Sequence, residues 1–203
     1  ENIDTEKYNV VKVGITRDGK FYLYEGENSL IPENKWLAEG KCTPLSLDLE
    51  KGCFTAEDRE IRPDAVLPMI HGKNCEDGTL QGMLTLMKIP VAGCGCTSSA
   101  VCMDKAFAKA IINSETGINQ AKAVVIRTED YTPDTAVSFR ERCERQLGYP
   151  VFVKPANAGS SVGVTKVKSA EDFDKAVKTA LHEDEKVLVE EFILGKEIEV
   201  AVL

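Results

Sequence analysis

No apolar run in this sequence is long enough to cross a bilayer. Stretches such as Val124-Val125-Ile126 fall far short of the roughly 20 residues that a spanning helix needs. Basic excess is missing too. The formal net charge is −8, so there is no broad positive field of the kind that draws nucleic acid. Neither a membrane nor a nucleic acid is expected as a partner. A polyanion can still bind an acidic protein, but only at a local cluster of cations and backbone N–H groups.

Histidine is scarce, with only His71 and His182, and neither stands at metal-ligand spacing from a cysteine. The seven cysteines are odd in number and match no disulfide framework. Cys94-Gly95-Cys96 is C-x-C, not the C-x-x-C of redox and zinc sites. Reduced thiols in a cytoplasmic protein are the expectation. Glu1-Asn2-Ile3-Asp4 is polar and acidic, without the basic and apolar regions of a secretory leader.

What remains is the composition of a globular chain. Of its 203 residues, 43% are hydrophobic and 29% charged, enough for one large domain or two small ones. Tyr8 to Thr16 alternates as a strand, Asp18-Gly19 signals a hairpin, and Phe21 to Tyr24 answers it. Residues 26–62 are polar and broken by Pro and Gly, which suits short helices or edge strands. Asp64 to Ile70 reads as a buried strand, Thr79 to Met87 as a helix, and Ile89 to Ala92 as a strand. That order suggests a parallel α/β unit.

The pattern changes near Gly93–Ser99. Ser98 to Asn113 is helical, with Asp104 placed to cap its second part and Phe107, Ala110 and Ile111 expected inward. Ala121 to Arg127, Tyr149 to Lys154, Gly163 to Val167, Lys186 to Ile193 and Glu197 to Leu203 read as strands. Asp134 to Leu147 and the segment after Ser169 read as helices, with Phe173, Val177, Ala180 and Leu181 on one face. This second part is α+β. We therefore divide the chain into 1–96 and 97–203. A short polar stub precedes the first strand and an apolar strand closes the chain, so a fragment of a longer protein is expected.

Three segments carry chemistry. His71-Gly72-Lys73-Asn74-Cys75-Glu76-Asp77-Gly78-Thr79 lies between a strand and a helix, where α/β folds bind ligands. Glu76 and Asp77 could equally serve only the helix's free N–H groups. Lys154-Pro155-Ala156-Asn157-Ala158-Gly159-Ser160-Ser161-Val162-Gly163 is a strand entering a small-residue turn. Successive N–H groups in such a turn can cradle phosphates, and Lys154 adds a point charge. It is neither a Walker A loop nor a dinucleotide fingerprint, and a plain flexible turn stays open. In Val187 to Glu197, Glu190 and Glu197 could accept from a base or a ribose, or could merely solvate a hairpin edge.

Together these segments resemble the D-alanine–D-alanine ligase family of the ATP-grasp superfamily. His71-Gly72, Glu76-Asp77-Gly78-Thr79-Leu80-Gln81-Gly82, Ile89-Pro90-Val91, Met103-Asp104-Lys105, Val153-Lys154-Pro155, Gly159-Ser160-Ser161-Val162-Gly163 and Glu190-Glu191-Phe192-Ile193 follow the family's order over roughly Asp64 to Leu203. The Ser98–Lys105 stretch is also similar to the ligases of vancomycin-resistant bacteria, including D-Ala–D-Ser enzymes.

The resemblance implies a Rossmann-like α/β N-terminal domain, incomplete at its start, followed by an α+β ATP-grasp central subdomain. It implies ATP as cosubstrate, with Lys105 and Lys154 on the phosphates, Glu190 and Ile193 facing adenine, and Glu197 on the ribose. Gly159 and Ser161 would belong to a loop closing over the phosphates. Ser160 and His71 would orient the first D-alanine. Mg²⁺ is implied, with ligands expected downstream of Leu203, and so is a homodimer.

Cys75 departs from the family's usual glycine, a strain if that position needs positive φ. Glu191 departs from a lysine found in some relatives. The N-terminal Gly-rich segment with its substrate-binding glutamate, the downstream arginine and the lid tyrosine lie outside these residues. Ligation by the 203 residues alone is not expected. A D-Ser or D-lactate acceptor, or a non-catalytic nucleotide-binding relative, stays open.

Overall fold

A computed structural model describes residues 2–115 and 117–201 of the chain. They form two compact units, residues 1–67 with 82–92 and residues 68–81 with 93–203.

The first unit is built on a five-stranded antiparallel meander in the order β1 (Lys12–Ile15), β2 (Phe21–Tyr24), β3 (Cys42–Asp48), β4 (Cys53–Ala56) and β5 (Arg59–Ile61). The predicted hairpin pairs Ile15 with Phe21, and Gly19 takes φ 80° in its turn. Leu23, Tyr24, Leu45, Cys53, Phe54, Ala56 and Ile61 are buried, and Trp36 sets its ring edge-on to Tyr24. The helix α1 (Thr79–Leu86) runs as expected, and Leu84, Met87 and Ile89 are buried at its end.

The expected strands at 64–70 and 89–92 shrink to one parallel bridge between Val66 and Val91. Leu67 and Met69 are exposed at 54% and 75%. The cause is local: Pro63 and Pro68 remove the N–H groups that a longer ladder would need. The fold is therefore mixed α/β, as expected, but the sheet of this first unit is antiparallel where a parallel α/β unit was expected.

The second unit opens with α2 (Cys96–Met103) and α3 (Lys105–Glu115). Asp104 separates them. Its Oδ1 accepts from the N–H groups of Ala106 and Phe107 at 2.9 and 3.1 Å, the cap that the sequence signalled. A four-stranded antiparallel sheet follows, ordered β6 (Ala123–Arg127), β9 (Lys186–Glu191), β7 (Val151–Pro155), β8 (Thr165–Val167).

Two helices, α4 (Ala136–Leu147) and α5 (Phe173–Glu183), cover one face of that sheet. Alternation decides which side chains meet them. Val124, Ile126, Val151, Val153, Val187 and Val189 point inward and are at most 1% exposed. Phe173, Ala176, Val177 and Ala180 recur at helical spacing on α5 and seal the layer. Gly148 ends α4 at φ 68°, and its N–H closes the last turn on Glu144.

Two expectations fail here. Phe107, Ala110 and Ile111 are exposed on α3, because the polar contacts of Asp104, Lys105 and Lys109 seat this helix instead. Residues 197–201 form no strand, with Ile198 and Val200 each 80% exposed, since no ladder partner reaches them among the described residues. Val202 and Leu203, part of that same expected strand, lie outside the described residues.

Phe173 is the largest fully buried side chain of this layer. Phe173→Ala is expected to cost about 3–5 kcal/mol through lost transfer energy and a residual cavity. Urea unfolding followed by circular dichroism checks this.

Candidate functional site

The open face of the second sheet carries the charges that its covered face excludes. Lys154 alternates with Val153 on β7, and Glu190 with Val189 on β9, so both point away from the helical layer. Their cross-strand placement brings Lys154 Nζ onto Glu190 Oε2. The other oxygen, Oε1, meets Lys109 Nζ from α3 at 3.0 Å. All three side chains are largely buried, at 13% exposure for Glu190, 18% for Lys109 and 23% for Lys154. Burial alone would raise the Glu190 carboxyl, but the two ammonium groups hold it below its ordinary value.

Lys105 enters from the capped start of α3. Its backbone N–H donates to Ala156 O at 3.0 Å, and its Nζ donates to Ala158 O at 2.6 Å. The ammonium therefore sits at the root of the β7–β8 hairpin. Burial and the neighbouring Lys154 charge both push the Lys105 ammonium below its ordinary range. The two cations are thus near enough to act on each other, an effect that the carboxylates of Asp104, Glu190 and Asp184 offset in part at Lys105.

The hairpin beyond them is unusual backbone. Ser160, Ser161 and Gly163 all take positive φ, at 49°, 58° and 70°. Val162 N–H closes on Gly159 O, and Val164 N–H on Ser161 O. Among the described residues no acceptor meets the N–H groups of Ser160, Ser161 and Gly163. Clustered N–H donors of this kind, with the Lys105 ammonium at their root, have the chemistry that suits an anion. Gly163 is required sterically as well, since a Cβ there would stand 2.8 Å from Pro155 Cγ.

His71 belongs to the same compact unit as this hairpin. Its ring is exposed, and its Nδ1 lies 3.4 Å from Glu76 Oε1. Glu76 Oε2 accepts from Gly72 N–H at 2.6 Å and stands 3.8 Å from where a Cβ on Gly159 would be. The His71 loop and the Gly159 hairpin are therefore neighbours through Glu76. Asp77 accepts from the N–H groups of Asn74 and Thr79, the helix-start role considered for it.

Cys75 is buried, and its φ is not positive. Asn74 takes the left-handed position at 71° instead, so the cysteine carries no backbone strain. Glu191 accepts from Lys122 N–H at 2.7 Å, tying the residues before β6 to β9. Ile193 and Glu197 are exposed and join neither lysine.

Sequence reasoning missed Lys109 and Lys186. Lys186 Nζ pairs with Asp104 Oδ2 and lies 4.1 Å from the Phe107 ring centre, fixing the start of α3 against β9. A signal for Lys109 existed: it follows Lys105 by four residues, on the same helix face. Among the described residues no group of three His, Cys, Asp or Glu side chains comes together to hold a metal ion, and no helix is long and apolar enough to cross a membrane.

A sheet whose open face and glycine–serine hairpin gather lysines is the architecture of an ATP-grasp central subdomain. The family profile described as D-ala D-ala ligase N-terminus matches residues 1–94, and the one described as D-ala D-ala ligase C-terminus matches residues 112–203. The chain belongs to the D-alanine–D-alanine ligase family. It is 44% identical to a D-alanine–D-alanine ligase of Caldicellulosiruptor bescii over its whole length, which is 56% of that protein. Among solved structures, the VanG D-Ala:D-Ser ligase of Enterococcus faecalis is 40% identical with a TM-score of 0.82, covering 96% of this chain and 56% of that one. The D-alanine-D-alanine ligase of Coxiella burnetii is 31% identical with a TM-score of 0.79, covering 95% and 56%. The chain spans a little over half the length of these relatives.

The depressed Glu190 carboxyl has a consequence for stability. Because its folded value lies below the ordinary 4.5, its contribution is complete above that pH and is lost as pH falls through the folded value. Glu190→Gln is expected to flatten the acid limb of the melting-temperature profile below pH 4.5 relative to the parent. Thermal melts between pH 3 and 7 measure it.

Proposed function

We propose that the protein to which this chain belongs joins two D-alanine molecules at the expense of ATP, supplying a dipeptide for peptidoglycan synthesis. The observation that carries this is the Lys105 ammonium, held at the root of the Ser160–Gly163 hairpin and near enough to Lys154 to feel its charge. Family membership and the 37–44% identity to proteins named D-alanine–D-alanine ligase support it.

The chemistry assigns each group a task. A free carboxylate is a poor acyl donor, because expelling oxide is too costly. Transfer of the terminal phosphoryl group of ATP onto the first D-alanine's carboxylate creates an acyl phosphate. The amine of the second D-alanine then attacks the acyl carbon, the C–O bond breaks, and phosphate leaves with the bonding pair. Lys105 and Lys154 would offset charge on the phosphates, and the N–H groups of Gly159, Ser160 and Ser161 would orient them. The hairpin would also exclude water that otherwise hydrolyses the acyl phosphate.

Glu190, ionised at neutral pH, would accept from the amino group of adenine, with Ile193 against the base and Glu197 on the ribose. Ser160 and His71 would position the first D-alanine. Mg²⁺ would further neutralise the phosphates, held by residues outside this chain. We extend the reading to a cytoplasmic homodimer on family likeness alone; sedimentation equilibrium of the full-length protein tests the dimer.

A D-Ser acceptor is the second reading, favoured by the 40% identity to the VanG D-Ala:D-Ser ligase. Steady-state kinetics of the full-length protein with D-Ala, D-Ser and D-lactate separate the two. Strong preference for D-Ser would replace our assignment. Lys154→Ala is expected to weaken ATP use by at least about tenfold, since it removes a charge-assisted phosphate contact. D-Ala-dependent phosphate release measures this, and unchanged ATP kinetics would remove Lys154 from the site.

A further inference from the structure

We propose that Lys109 is a positioning residue for nucleotide selection: it is the standing counter-ion of Glu190, fixing that carboxylate toward the base and leaving Lys154 free for phosphate. This rests on the ATP-binding reading above.

The argument starts from one carboxylate with two ammonium partners. Glu190 offers Oε1 to Lys109 at 3.0 Å and Oε2 to Lys154. Only one of these lysines borders the phosphate hairpin. Lys154 lies on β7, whose last residue, Pro155, leads into it. Lys109 stands one helical turn beyond Lys105 on α3, facing the sheet near Ala123, Val125 and Leu188. A nucleotide therefore asks Lys154 to turn toward phosphate while Lys109 remains.

Charge balance makes the second lysine necessary. At 13% exposure, Glu190 would be costly to leave without a cation. Without Lys109, Lys154 would be its sole counter-ion, and every phosphate contact by Lys154 would strand the carboxylate. With Lys109 present, the pair Lys109–Glu190 stays neutral through binding. The same pair fixes the rotamer of Glu190, because Lys109 holds Oε1 and leaves Oε2 to accept from the base once Lys154 turns to phosphate.

Selection follows from hydrogen-bond polarity. Adenine presents an amino group, a donor that an ionised carboxylate accepts. Hypoxanthine presents a carbonyl oxygen at that position, which the carboxylate repels. A firmly held Glu190 should therefore favour ATP over inosine triphosphate, and a loosened one should not.

The test compares Lys109→Met, which keeps the aliphatic stem, with Lys109→Arg in the full-length protein. Lys109→Met is expected to raise KM for ATP about tenfold with kcat within about twofold, as loss of an oriented binding contact does. KM for inosine triphosphate should rise by less than about threefold, and Lys109→Arg should restore the preference for ATP. In a Glu190→Gln background, Lys109→Met should add no more than about twofold, since the group it positions is gone. Equal losses for both nucleotides, full additivity in that background, or no change at all would each overturn the proposal. If the methionine variant fails to fold by circular dichroism, Lys109→Gln carries the same measurements. Lys154→Ala run alongside separates the two readings. Its failure to affect ATP use removes Lys154 from the site and with it the reading this role rests on, whereas a large effect there with inert Lys109 variants removes only this role.

Discussion

Everything at the site depends on the alternation of two strands. Along β7 and β9, odd and even residues point to opposite faces, and one of those faces is sealed by the helical layer. The valines at 151, 153, 187 and 189 meet α4 and α5, so Lys154 and Glu190 have no choice but to emerge on the other side. A charge on the covered face would be stripped of water with no partner nearby. The hydrophobic layer thus acts on function by exclusion. It sorts ionisable groups onto one surface before any ligand is considered.

That surface then needs a second element to give it depth. The helix α3 supplies it, but not by apolar packing. Its Asp104 cap, the Lys186–Asp104 pair and the Lys105 contacts to Ala156 and Ala158 seat it by polar bonds. An overall charge of −8 does not prevent lysines from being concentrated within one such arrangement.

Much of this was legible in order and type. The helices α4 and α5 announced themselves through period and end signals, and Asp104 through its place before a helical run. The hairpin at 156–164 was visible as small residues after a lysine-bearing strand. What escaped notice depends on registration between distant segments. Lys186 meets Asp104 across 82 positions, and Lys109 on α3 meets Glu190 on β9, and neither pairing has a local signature. Local rules also misled where backbone donors were missing, as at Pro63 and Pro68, or where apolar residues on α3 suggested a buried stripe that polar contacts overrode. At Cys75 no strain arises, because the left-handed residue of this loop is Asn74, where such backbone is better tolerated.

The anchoring of the hairpin root sets a limit on travel. Ala156 and Ala158 are tied to α3 through Lys105, and Asn157 N–H is tied to Asp184 at the end of α5 by a 2.8 Å bond. Any swing must start at Gly159. The free arm is then only the stretch 159–164, whose tip can reach about 10 Å at most when chain runs out and back at full extension. Under the proposed function, such a short flap would suit the capping of a triphosphate tail and would be too short to enclose a bulky acceptor, leaving the choice of acceptor to other residues.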